Sequence, residues 1–127
     1  MKSGYINVVG IALLSIACAS CAPPADQEKD EMPIVAAVEK SLAYAKRDRV
    51  DENRYIVKYA AISANGNSRA IDRQAADDYQ ISILKKLHGR RYWEVCYGAS
   101  EPGMTGATYC YYLDSSKYEL IADYQVK

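Results

Sequence analysis

Two strand-forming segments near the C-terminus, Arg91-Tyr-Trp-Glu-Val-Cys-Tyr-Gly98 and Ala107-Thr-Tyr-Cys-Tyr-Tyr-Leu-Asp114, constrain the fold more than any other part of the chain. Both are rich in β-branched and aromatic residues, and a stretch bearing Pro102, Gly103 and Gly106 separates them, which predicts an antiparallel hairpin. Each segment carries one cysteine. Setting Cys96 opposite Cys110 places Trp93 opposite Leu113, Val95 opposite Tyr111 and Tyr97 opposite Tyr109, all six on one face. The other face then holds Tyr92, Glu94, Cys96, Cys110, Tyr112 and Asp114, the more polar set. A turn at Ser115-Ser116 returns the chain through Lys117 to Tyr124, with Leu113 meeting Tyr118 and Tyr111 meeting Leu120 and no register slip.

The opposite end of the chain is an address. Lys2 precedes an uncharged, largely apolar run from Tyr5 to Ala17, too short to span a bilayer of ~20 apolar residues and suited to a signal peptide over residues 1–17. Leu14-Ser15-Ile16-Ala17-Cys18 resembles the lipobox of bacterial lipoproteins, with a small residue just before the cysteine. The resemblance implies lipidation of Cys18, with Cys21 as the alternative, and Ala19 in place of aspartate implies passage to the periplasmic face of the outer membrane. Plain secretion after a small-x-small cut at Ala17-Cys18-Ala19, leaving a soluble periplasmic or secreted protein, is the other reading.

Residues 18–32 are polar and proline-bearing without hydrophobic periodicity, and read as a lipidated, flexible tether. Residues 33–127 are one domain's worth of chain with a modest core. Sixteen basic and sixteen acidic residues balance, so no nucleic-acid footprint is visible. Lys85-Lys86 and Arg90-Arg91 suit a helix end better than a phosphate grip. Twelve tyrosines and no phenylalanine suit a thin core whose rings reach toward solvent, and also a contact surface.

Export supplies oxidising conditions, and Cys96 and Cys110 are the two cysteines of the domain, so the hairpin register predicts a disulfide between them. Upstream the pattern is helical. Pro33 opens a helix with Ile34, Val38, Leu42 and Ala45 as its stripe, and a longer helix runs from Asn67-Ser68 to Gly89 with Ala76, Tyr79, Ile83 and Leu87. Arg54 to Ile62 suits helix or strand equally. Helices followed by a meander predict an α+β fold, with N-terminal helices packed on one face of a three- to four-stranded antiparallel sheet. That order resembles cystatin-like folds. Trp93-Glu-Val-Cys-Tyr and Tyr111-Tyr-Leu-Asp-Ser-Ser-Lys-Tyr-Glu-Leu-Ile121 resemble the paired strands and aspartate-led turn of PepSY-type domains over about 30 residues, which implies a small envelope module that binds or restrains another protein, often a hydrolase.

No catalytic set is expected. His88 is the lone histidine and sits at a helix end; Asp77-Asp78, Glu94, Asp114, Glu119 and Asp123 read as solvated carboxylates. No metal or other cofactor is expected. Two surfaces are candidates for a protein partner: the loop Ala99 to Gly106, with Glu101, Pro102 and Met104 at its tip, and the polar face with Tyr92, Glu94, Tyr112 and Glu119. These features predict a lipid-anchored envelope protein that inhibits, or confers immunity to, a secreted or periplasmic hydrolase. The alternatives are a structural accessory of an envelope assembly, and a small-ligand carrier with Tyr97, Tyr109 and Tyr111 as polar handles between helix and sheet.

Overall fold

The structure is a computed structural model, and it describes residues 32–103 and 106–126. The expected leader, the lipidation cysteines Cys18 and Cys21, the tether up to residue 31 and Met104 lie outside the described residues.

Among the described residues six elements follow one another: α1 (Pro33–Arg47), β1 (Tyr55–Ala64), α2 (Asp78–Leu87), β2 (Arg91–Ala99), β3 (Thr108–Asp114) and β4 (Leu120–Val126). The strands form one antiparallel sheet in the order β1-β2-β3-β4. The segment that suits helix or strand is therefore a strand, paired with β2 from Tyr55↔Ala99 to Ala64↔Arg91. Pairing gives β2 a neighbour on both sides, and its residues Tyr92–Gly98 are all buried.

The β2–β3 register is the expected one, with Trp93↔Leu113, Val95↔Tyr111, Cys96↔Cys110 and Tyr97↔Tyr109. Cys96 and Cys110 are joined in a disulfide with Cα atoms 4.1 Å apart, the close spacing of a non-hydrogen-bonded pair. The β3–β4 register differs from the expectation. Leu113 pairs with Leu120 because the turn is two residues longer than expected, and Tyr111 pairs with Asp123 because Ile121 then bulges out of the ladder. The turn is longer than Ser115-Ser116: the Asp114 carboxylate accepts from the amides of Ser116 (3.1 Å) and Lys117 (2.8 Å), and Tyr118 takes a positive φ of 58° to close it.

The two helices pack on opposite faces of the sheet, which corrects the one-face expectation. On one side Ala37 and Ala45 of α1 join Trp93, Val95, Tyr97, Tyr111 and Leu113. On the other, Ile83, Leu84 and Leu87 of α2 join Tyr92, Cys96, Cys110, Tyr112, Ala122 and Tyr124. The supposedly polar face is mostly disulfide and aromatic ring, and it carries enough apolar area to need a cover of its own.

The first helix is shifted from its expected stripe, whereas the second buries Ile83 and Leu87 as expected but begins later. The buried line of α1 is Ala37, Ser41 and Ala45, while Ile34 and Leu42 stay exposed. Large rings on the sheet fill the interlayer space, so the helix presents its smallest side chains to them. α2 starts at Asp78, well after Ser68, because Asp77 and Gln80 close a capping box: the Asp77 carboxylate accepts from the Gln80 amide (2.8 Å), and the Gln80 side-chain oxygen accepts from the Asp77 amide (2.9 Å).

Candidate functional site

Three of the predicted contact residues are interior. Tyr92, Glu94 and Tyr112 are fully buried beneath α2 and the segment that leads into it, so they form no surface for a partner. The strand alternation that suggested an exposed face is real, but residues 67–71 cover its polar atoms. Ser68 Oγ donates to Glu94 Oε2 at 2.5 Å, and the Arg69 amide donates to Glu94 Oε1 at 2.8 Å. The Tyr112 hydroxyl lies 2.8 Å from Ser68 Oγ, and Tyr92 donates to the Asn67 carbonyl at 2.5 Å. Burial, and after it the Glu94 charge, raises the Tyr112 hydroxyl above the ordinary phenol range and pushes Tyr92 up to about 12. The cluster fastens a loop to the sheet and offers no titrating or nucleophilic group to solvent.

The remaining predicted residues stand at two ends of the molecule. Glu101 and Pro102 are exposed at the tip of the β2–β3 loop. Glu119 is exposed in the β3–β4 turn, and β2 and β3 run between the two. They do not form one patch.

The loop is built on a firm base. The Cys96–Cys110 bond and the Tyr97↔Tyr109 pair close its stem, and the Ser100 amide donates to the Arg54 carbonyl at 2.8 Å, tying it to the start of β1. Tyr55 meets Tyr109 edge to face at 5.5 Å. Its hydroxyl lies so close to Gly106 that an added Cβ would sit 2.9 Å from it, so a side chain there would have to push the end of the Tyr55 ring aside. Gly103 turns the tip with a φ of +81°. The arrangement leaves Glu101 and Pro102 exposed beyond a cross-linked stem.

Between α1 and the sheet there is little room. The enclosed space lined by Leu42, Ala45, Val50, Tyr55 and Tyr97 is about 40 Å³, against the ~300 Å³ or more of a small-molecule pocket. Two of the tyrosine hydroxyls named as ligand handles are already engaged: Tyr97 lies 2.5 Å from Ser41 Oγ, and Tyr111 donates to Asp48 at 2.9 Å.

Sequence reasoning missed a groove at the start of α1. Met32, Pro33 and Ile34 line it together with Ile62 of β1, Arg91 and Trp93 of β2, and Ser115 and Tyr118 of the β3–β4 turn, around a volume of about 470 Å³. Met32 is 65% exposed and Ile62 41%. The signal is the unbroken apolar run Ile34-Val35-Ala36-Ala37-Val38, more than one helix face can bury, of which the expected stripe used only Ile34 and Val38. Trp93 Nε1 is buried with no hydrogen-bond partner among the described residues.

No protein-family model, curated protein or solved structure matches the chain.

Proposed function

We propose that the protein is a lipid-anchored component of a bacterial envelope that binds another protein through its β2–β3 loop, acting as an inhibitor of, or immunity factor against, a secreted or periplasmic hydrolase. One observation carries the reading: an exposed Glu101-Pro102 tip stands on a stem closed by the Cys96–Cys110 disulfide and tied to β1 through Ser100. A loop whose stem is fixed in this way loses less conformational entropy on entering a cleft than one with free ends. Export and the lipobox-like Cys18 supply the address, the periplasmic face of the outer membrane, and the partner is sought there.

The test is capture from an envelope extract on the oxidised protein, with Glu101→Lys/Pro102→Ala and reduced protein as controls. The expected result is one stoichiometric hydrolase whose activity falls on adding the protein, with both effects lost in the variant. Capture that the variant retains would remove the loop from the reading, and recovery of a set of envelope-assembly subunits would favour the accessory role.

A further inference from the structure

We propose that the end of the domain where α1 begins is a membrane-contacting face, occupied by the headgroup and upper acyl region of the bilayer that holds the anchor. The inference rests on the lipid-anchored reading above. Met32, Ile34 and Ile62 are 65%, 36% and 41% exposed and line the groove that also reaches Trp93 and Tyr118, and Val35, 40% exposed, lines an adjoining hollow that shares Ile34. Neighbouring exposed apolar side chains of this kind mark a contact surface.

Three features of the chain name lipid as the occupant. The first is where the chain enters. Residues 19–31 are the thirteen between Cys18 and Met32, so a lipid on Cys18 lies at most ~50 Å of extended chain from the middle of the patch. Once the anchor is inserted, the patch meets the bilayer at high effective concentration, and weak docking suffices.

The second is the rim. Arg91 and Tyr118 line the groove, and the exposed Arg90 and Lys117 line a separate hollow at the same end. Basic side chains and amphipathic rings around an apolar centre are the set that settles at headgroup level. Two carboxylates share this end: Asp114, whose side chain is taken up by the turn amides, and Glu119, which is exposed. Asp30 and Glu31 precede Met32 in the chain, so the charges of this end are mixed, and the headgroup argument rests on Arg91 and Tyr118 at the groove itself.

The third is polarity of the fold. β2 starts at the groove with Arg91 and Trp93 and ends at Ala99, where the Glu101 loop begins, and its nine residues separate the two ends by roughly 26 Å. Docking by the α1 end therefore points the loop away from the lipid and toward soluble partners.

The experiment uses the full-length chain, expressed in a two-membrane bacterium, purified from membranes, and reconstituted in vesicles of phosphatidylethanolamine and phosphatidylglycerol. Trp93, the sole tryptophan, lines the groove and serves as the probe. Mass spectrometry of the N-terminal peptide and vesicle flotation report the anchor. The expected result is loss of Trp93 emission on vesicles with brominated acyl chains relative to unbrominated ones, and recovery of that emission in Met32→Ser/Ile34→Ser/Val35→Ser, which still floats. Should that variant misfold by circular dichroism, Ile62→Thr takes its place with the same expectation. A lipidated, floating protein whose Trp93 is indifferent to bromine overturns the docking face and leaves the anchor standing. A chain without lipid that stays in solution removes both. Emission that changes with protein concentration in the absence of vesicles would assign the groove to a second copy and overturn the lipid assignment.

Discussion

A carboxylate in the interior is the residue on which local order in this molecule turns. Glu94 sits on a central strand with no solvent contact, and its two oxygens accept from Ser68 Oγ and the Arg69 amide. Strand alternation alone assigned it to a polar surface, because the residues that satisfy it lie more than twenty positions earlier in a stretch without periodicity. Ser68→Ala should cost ~2–3 kcal/mol, the penalty of a buried acceptor left unpaired. Urea denaturation would measure it, and an unmoved midpoint would mean that water reaches Glu94. Trp93 presents the opposite case. Its indole N–H has no partner, so Trp93→Phe removes an uncompensated donor along with some ring area. The net change should stay within ~1 kcal/mol, far from the 3–5 kcal/mol typical of truncating a buried Trp to Ala.

At the scale of elements, the hairpin was fully legible in the sequence because its information is local: two strand-forming runs, one cysteine in each and a Gly/Pro stretch between them. The remaining elements were legible in kind more than in placement. β1 was ambiguous by composition and is fixed by pairing with β2, a long-range gain that no window of sequence contains. The start of α2 was hidden because its hydrophobic stripe runs past the cap, and Asp77 with Gln80 decides the boundary. α1 is the clearest miss. Its buried line is Ala37, Ser41 and Ala45 because Trp93, Tyr97 and Tyr111 already occupy the volume between the layers. Ala37→Leu should therefore destabilise by ~1–3 kcal/mol through overpacking even though it adds apolar area; a stabilising result in thermal unfolding would show a void at that layer. The disulfide closes fourteen positions of sequence, and Cys96→Ser/Cys110→Ser should lose roughly 3 kcal/mol if loop entropy dominates, read as a shift in the denaturant midpoint between the oxidised protein and the variant.

For the molecule as a whole, the predominance of tyrosine makes stability sensitive to alkali. Burial raises the hydroxyls of Tyr97, Tyr111 and Tyr112 above the ordinary value of 10.0 and pushes Tyr92 up to about 12. As pH climbs past 10 the unfolded chain gives up these protons before the native one does. Their contribution is thus complete below pH 10 and drains away through the raised native values. Denaturant midpoints should fall steeply above pH 10, and Tyr112→Phe should flatten the fall. On the acid side the Arg47 hydrogen bond holds the Asp48 carboxyl below its ordinary 3.8, so its part is present above that value and is lost as pH drops through the native one. Finally, both outer strands are broken in rhythm, β1 by the extra residue Lys58 and β4 by Ile121. Bulges on outer strands frustrate pairing with another sheet. Two sheets that meet edge to edge therefore find no straight ladder to extend, which holds back open-ended polymerisation along the strands.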